Sequence, residues 1–272
     1  MKGLYTASET KQILGGISGE SLKRLVDDKK IRKVLPPGNR TRGMYIKEDV
    51  DKLAAIMKEF IEIYSEENNK GYEFRQAKDD EEIEDTVQIA KQRFGERATN
   101  LETRLERFHK SPQGDYVLKH NGITVGFFSV QAVKTEAAEE LFRRKTGRWL
   151  TVEDIEEMSP NKPLNILVSN IASKIGGDKN LEIEYGKKLI LSVMELLINL
   201  GKKGIIIKKV WAMSSTVSGI KLCRDILKFQ NLGYINSEQL GFMLDMEESK
   251  TPIAEQYQEA LKQYSQTEKY RV

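Results

Sequence analysis

The chain has 272 residues, 39% hydrophobic and 31% charged, with 20 Gly and 6 Pro; this balance excludes collagen-like, low-complexity and wholly disordered chains, and the length implies more than one average domain but fewer than three. One cysteine, Cys223, excludes a disulfide framework and a cysteine-built zinc site, and two distant histidines, His109 and His120, argue against a histidine-based metal site. The net charge of +3 is unevenly divided: residues 1–58 hold 13 Lys/Arg against 7 Asp/Glu, net +6, which leaves −3 for residues 59–272.

The most apolar stretch, residues 189–200, is interrupted by Ser192, Glu195 and Asn199, and falls short of the roughly 20 apolar residues that span a bilayer. Met1-Lys2-Gly3 opens no secretory signal. The expectation is a cytoplasmic protein with no membrane partner.

Thr6-Ala7-Ser8-Glu9 reads as a capping box for a helix from about Ala7 to Leu14, ended by Gly15-Gly16. Ser18 is placed to cap a second helix whose apolar face is Leu22, Leu25 and Val26. Residues 31–35 read as a strand, Pro36-Pro37-Gly38-Asn39 as a turn and residues 44–46 as the returning strand. Between Lys29 and Lys47 stand seven basic residues and no acidic one, a field of one sign that attracts polyanions. Helix, turn, helix and basic hairpin is the order of a winged DNA reader.

A third helix starts near Lys47-Glu48-Asp49. Val50, Leu53, Met57, Phe60 and Tyr64 recur at 3,4 spacing, a short heptad seam. Residues 65–71 (SEENNKG) are polar and aperiodic and read as a linker, dividing a domain at 1–64 from one at 72–272.

In the second part residues 72–77 read as a strand. Ile83, Val87, Ala90 and Phe94 mark one helix, and Leu101, Leu105 and Phe108 another. Residues 115–119 and 123–133 read as strands joined by a His120-Asn121-Gly122 hairpin signal. Residues 135–159 have a helical, charged composition, with Thr151 and Asp154 at capping positions. Then follow a strand at 164–173, an apolar helix at 184–200, a strand at 208–214, a helix at 217–227, a strand at 240–246 and a helix at 251–264.

Residues 4–57 resemble the MerR-like and excisionase-like helix-turn-helix group, through Leu4-Tyr5-Thr6, the run Ile17 to Leu25, the basic hairpin, and Tyr45-Ile46-Lys47-Glu48-Asp49-Val50. The resemblance implies that Ser18, Ser21, Lys23 and Arg24 face double-stranded DNA and that Lys33, Arg40, Arg42 and Tyr45 belong to the wing. Lysines and arginines there set register on phosphates, while residues that reach base edges specify sequence.

Residues 72–246 resemble, more loosely, the GNAT acyltransferase fold. The basis is the order strand, two helices, hairpin, strand, long helix, strand, helix, strand, with Ala212-Met213-Ser214-Ser215, Leu222-Cys223 and Leu232-Gly233-Tyr234 near its close. The resemblance implies acyl-CoA held by its pyrophosphate on backbone amides at the start of the long helix. Tyr185, Gly186, Lys187 and Lys188 are the implied contacts. The family's Gln/Arg-x-x-Gly-x-Gly/Ala loop fits in two registers. With Gly186 first, Ile183 and Lys188 fill the other positions; with Gly186 second, Leu181 and Glu184 do. Glu182 and Glu184 stand where phosphates would lie, and Cys223 takes the place of the family's frequent tyrosine acid. Cys223 is the one catalytic candidate, the 135–159 insertion is atypical, and no metal ligands are expected.

The expected fold class is α+β: an N-terminal winged helix-turn-helix domain and a C-terminal GNAT-like domain with a mostly antiparallel central sheet flanked by helices. The leading functional expectation is a sequence-specific DNA-binding regulator, acting as a homodimer on two half-sites, with the second domain sensing a small molecule or acyl-CoA. The alternatives are an acyl-CoA-dependent N-acyltransferase carrying a DNA-targeting domain, with acetyl-CoA as cofactor, and a plasmid or phage maintenance factor.

Overall fold

A computed structural model describes residues 3–14, 19–35, 43–54, 71–143 and 150–269. The chain divides into two compact units, Met1–Lys70 and Gly71–Val272.

The first unit begins with β1 (Leu4–Tyr5), α1 (Ala7–Ile13) and α2 (Gly19–Asp27), followed by β2 (Lys33–Val34), β3 (Met44–Ile46) and a helix, α3, over residues 47–54. The capping box forms: Thr6 Oγ1 accepts from the Glu9 amide and Glu9 Oε2 accepts from the Thr6 amide. Its three strands form one sheet in the order β1-β3-β2. Leu14, Leu22, Ile31, Tyr45 and Val50 close a small core. A winged helix-turn-helix is not shown for this unit; residues 15–18 and 36–42, where its turn and wing tip were expected, lie outside the described residues. Met57, Phe60 and Tyr64 of the heptad seam lie outside them too, while Val50 of that seam is spent on the unit's own core.

Arg32 and Asp49 tie β2 to α3. The Arg32 backbone amide and its Nε both donate to Asp49 Oδ2, at 2.9 and 2.8 Å, and its Nη2 to Oδ1 at 2.7 Å. These bonds hold the Asp49 carboxyl at about 2, below the ordinary 3.8.

The second unit is α+β, a mostly antiparallel sheet with helices on both faces. Its elements are β4 (Tyr72–Gln76), α4 (Asp80–Phe94), α5 (Leu101–Lys110), β5 (Asp115–His120), β6 (Ile123–Val133), α6 (Thr135–Phe142), β7 (Ile155–Glu156), β8 (Pro163–Ser173), α7 (Lys179–Lys202), β9 (Ile206–Ser214), α8 (Val217–Lys221), β10 (Gln230–Tyr234), β11 (Leu240–Asp245) and α9 (Pro252–Lys269). The strands order as β10-β11-β9-β8-β6-β5-β4, with β7 on β6. Every pair is antiparallel except β8 with β9. A parallel pair needs a crossover, and α7 supplies it.

The β5–β6 hairpin turns on Asn121 and Gly122, both at positive φ (51° and 81°), as a two-residue I′ turn requires. The larger core lies between the sheet and the layer of α7 and α9, around Phe128, Ile166, Leu189, Val210, Phe242 and Tyr257. On the other face α4 packs Ile89 and Ala90 on Phe127 and Ala172, and α6 packs Phe142 on Trp211 with ring centroids 4.9 Å apart.

The sequence places α7 at 184–200, but it starts five residues earlier, capped by Asp178, whose side chain accepts from the Asn180 amide. The apolar periodicity begins only where the helix meets the sheet, so it marks the packed part and misses the mostly exposed opening five residues, about a turn and a half. The 135–159 segment is helical only through Phe142 among the described residues; a Thr151–Asp154 capping box then leads into β7. The expected helix at 217–227 is α8 followed by π-helical residues 222–226.

The buried phenol of Tyr257 on α9 donates to the Ile205 carbonyl at 2.7 Å and accepts from the Ile207 amide at 2.6 Å. It thereby satisfies the backbone at the start of β9, and α9 clamps the turn between α7 and β9. Replacing Tyr257 with Phe leaves both backbone groups unpartnered, and we expect a loss of about 1–3 kcal/mol in urea unfolding.

The Asp49 carboxylate, depressed in the folded state, contributes stability above its ordinary range that is lost as pH falls through its folded value. Asp49→Asn is therefore expected to speed amide exchange at Tyr45 and Ile46 near neutral pH. The difference from wild type should shrink as pH falls from about 4 toward 2; a difference independent of pH would mean the ion pair contributes nothing.

Candidate functional site

The parallel pair β8/β9 does not stay together. Their pairing runs from Pro163↔Ile206 to Val168↔Ala212 and stops there. Beyond it, β8 continues to Ser173 paired only with β6, and β9 to Ser214 paired only with β11. Two strand edges face each other without a ladder between them.

A β-bulge accompanies the parting. In β8 against β6 the register moves from Val168↔Val130 to Asn170↔Ser129, so Ser169 is the extra residue. A bulge bends its strand and increases the local twist. Ser169 Oγ donates to the Ser129 carbonyl at 3.2 Å.

Beneath the bulge lies a buried polar cluster. Arg104 on α5 is 5% exposed. It donates to Ser129 Oγ at 2.6 Å, Thr86 Oγ1 at 3.0 Å and Asp115 Oδ1 at 2.9 Å, and Ser129 Oγ also donates to Asp115. The cluster ties α4, α5, β5 and β6 together at the strand that carries the bulge. At the far end of β8, Arg93 Nε donates to the Ser173 carbonyl at 2.6 Å.

The opening is a cavity of about 720 Å³, within the 300–1,000 Å³ range of small-molecule sites. Val168 to Ile171 and Ala212 to Thr216 form its two strand walls. Arg97, Thr103 and Arg107 line it from the α4–α5 side, Gly219, Leu222 and Cys223 from α8 and the turn after it, and Asn236 to Gln239 from the β10–β11 loop. Among the described lining residues Glu238 is the one carboxylate, paired with Arg97 at 2.8 Å.

Tyr185, Gly186, Lys187 and Lys188, read as the helix start, lie in the second and third turns of α7. Tyr185 Oη stands 3.3 Å from His120 Nδ1, and Lys188 is buried with its Nζ 5.4 Å from the Tyr72 ring centroid, its pKa lowered by burial. Tyr72 stacks on His120 at 4.3 Å and donates to Glu184 at 2.8 Å. These residues are brought together where β4 begins and β5 ends, beside the β5–β6 turn. A Cβ on Gly186 would stand 3.8 Å from Ser173 Oγ.

The actual helix start is the turn Ile175-Gly176-Gly177-Asp178, with both glycines at positive φ. Glu182 Oε1 already accepts from the Gly176 amide at 2.8 Å. As arranged, this helix start does not fit a diphosphate, because a carboxylate occupies the amide and Asp178 adds a second negative charge. The strand opening does fit a flexible, amide-bearing arm, since its edges offer main-chain donors and acceptors.

Cys223 reaches the cavity wall, yet it is 8% exposed and burial pushes its thiol up to about 11. It is a packing residue of the α7 face, not an activated nucleophile.

In the first unit, Lys23 and Lys33 are exposed and Arg24 is half-exposed, 3.9 Å from Glu20. Tyr45, expected on the wing surface, is instead 8% exposed in the unit's core, where the alternation of its short strand directs it. Ser18, Arg40 and Arg42, and the side chain of Ser21, lie outside the described residues.

No family model and no curated protein matches the chain. Solved structures similar to it include Ard1 from Thermoplasma volcanium, 14% identical over 64% of this chain and 97% of that one, with a TM-score of 0.41. YncA from Salmonella typhimurium, described as a putative acetyltransferase with its cofactor acetyl-CoA, is 13% identical over 67% and 98%, TM-score 0.40. The loading GNATL domain of CurA from Lyngbya majuscula is 14% identical over 65% and 99%, TM-score 0.44. The expectation of a sequence-specific DNA-binding regulator is corrected here: the similar structures whose descriptions name a class include a putative acetyltransferase and a GNATL domain, and DNA binding is not among the properties those descriptions give. One of the seven basic residues counted between Lys29 and Lys47, Arg32, is paired locally with Asp49.

With its thiol near 11, Cys223 should react with iodoacetamide in the native chain at least roughly 100-fold more slowly than a free cysteine at neutral pH, and faster as pH rises. Alkylation at the free-cysteine rate would show that the thiol is exposed and activated.

Proposed function

We propose that residues 71–272 transfer an acyl group from a CoA-type thioester to an amine in the cavity between β8 and β9. One observation carries the reading: an otherwise continuous sheet opens at its single parallel pair, with a bulge at Ser169, into a cavity of about 720 Å³. A thioester arm of this class carries two secondary amides, and the free edges of β8 and β9 offer the matching backbone groups.

The strand edges orient the arm and exclude water along it. The amine attacks the thioester carbonyl carbon, the carbon–sulfur bond breaks, and the thiol leaves with a proton. The attacking nitrogen must lose a proton in the same process. Glu238 is exposed and held by Arg97, and the Cys223 thiol is held protonated by burial. We therefore assign the proton to water at the cavity mouth, ordered by the hydroxyls of Ser214 and Thr216; Ser214 Oγ accepts from the Thr216 amide at 3.2 Å and Thr216 Oγ1 from the Gly219 amide at 3.1 Å. Affinity for the thioester comes from the strand edges, because Glu182 holds the Gly176 amide.

Acetyl-CoA at about 100 times its Kd should stabilise the native chain by about 2.7 kcal/mol, which for a domain of this size raises Tm by roughly 5–10 °C. Free thiol should appear when a panel of amines is added. No change in Tm at millimolar acetyl-CoA would sink the reading.

A further inference from the structure

Where α5 lines the cavity, the charge is positive and half-buried. Arg104 and Arg107 stand one helical turn apart on α5. One carboxylate, Asp115, faces them, and Arg104 occupies it at 2.9 Å, with Ser129 as a further donor. Arg107 lines the cavity and donates through Nη2 to the Leu150 carbonyl at 3.1 Å. Among the described residues no carboxylate lies within ion-pair distance of it. Glu106, the adjacent carboxylate on α5, is exposed. The other lining charges, Arg97 and Glu238, neutralise each other at the rim.

An unpaired guanidinium partly removed from water is costly, because hydration is lost without an anion to replace it. Burial, and next the nearby Arg104, lower the Arg107 pKa, so the folded chain already pays for holding this cation where it is. A guanidinium also presents a planar fork that matches a carboxylate bidentately.

We propose that Arg107 receives a carboxylate of the bound substrate, so that the substrates of this cavity include an acid. The carboxylate belongs either to the acyl group, as in a dicarboxylic monothioester, or to the acceptor, as in an amino acid. The proposal rests on the acyl-transfer reading for the identity of the substrates, and on Arg107 alone for the acid.

The test uses the full chain and two arms. In the first, Kd is measured for succinyl-CoA and acetyl-CoA by calorimetry. In the second, thiol release from acetyl-CoA is followed with glutamate and glycine and with the corresponding amides as acceptors. One arm should show a preference of about tenfold or more for the acid, which Arg107→Gln abolishes and Arg107→Lys partly retains. The first arm responding identifies the acyl group as the source, the second the acceptor. Acetyl-CoA binding with no preference for acids in either arm overturns the proposal and leaves the acyl-transfer reading standing, as does a preference that survives in Arg107→Gln. If neither thioester binds, the acyl-transfer reading fails, and glutarate alone decides the proposal: a rise in Tm in wild type absent from Arg107→Gln supports it, and no rise overturns it. Should Arg107→Gln not fold, Arg107→Lys carries each comparison, with a reduced preference expected and an unchanged one counting against the role.

Discussion

The parting of β8 from β9 is the constraint on which the second unit turns. β8 runs on into a 24-residue helix and comes back parallel as β9, the one parallel pair of a sheet otherwise antiparallel among the described residues. Both strands are longer than the six residue pairs they share, so each must find a partner on its outer side for its last residues. The extra residue at Ser169 bends β8 toward β6, and Ser169 Oγ gives the Ser129 carbonyl a donor at the point where the ladder slips. The polar groups freed by divergence are divided between those the protein satisfies itself and those it leaves facing the cavity.

That division rests on the cluster below the bulge. A guanidinium and a carboxylate placed together in an apolar layer recover their lost hydration only if each hydrogen-bonding direction is met. Arg104 makes three such bonds, to Asp115, Ser129 and Thr86, and its guanidinium also lies 5.2 Å from the Phe127 ring centroid. The four side chains come from four elements, so the cluster fixes how α4 and α5 sit on β5 and β6. A hydrophobic replacement would be free to slide; a hydrogen-bonded one sets the register of β6, and with it the position at which β8 must slip.

Local chemistry was the legible part of the sequence. Thr6 and Glu9, Thr151 and Asp154, and Asn121-Gly122 each act through neighbours a few residues away, and all three adopt the geometry their identities require. Most of the strand and helix order in the second unit was legible for the same reason, but the short strands β7 and β10 carry too little apolar period to be read and were missed. Charge was the misleading part: counting basic residues over 29–47 ignores that Arg32 is held by an aspartate 17 positions on. Tyr45 was misread because a three-residue strand has too little alternation to show which side is buried. The cavity residues gave almost no signal, since Ser169, Ala212 and Arg107 meet only through the sheet. Arg104, below the cavity, was passed over although a signal existed. It interrupts the Leu101, Leu105, Phe108 stripe, and a charge on an apolar face must be paired inside the fold.

The two ends of the β8–α7 region therefore carry opposite electrostatic roles. Past the end of β8, Asp178 accepts from the first-turn Asn180 amide of α7 and Glu182 from the Gly176 amide of the turn before it, so the favourable field of a helix start is met by the protein's own carboxylates. On the α5 side, Arg107 has a carbonyl and no carboxylate within reach among the described residues. A ligand bearing negative charge thus gains little at the helix start and much near α5, the reverse of what the helix dipole alone would suggest. Recognition of the thioester then falls to main-chain pairing along the open strand edges, which is indifferent to the acyl group, while discrimination falls to the cation that the fold has left to be matched.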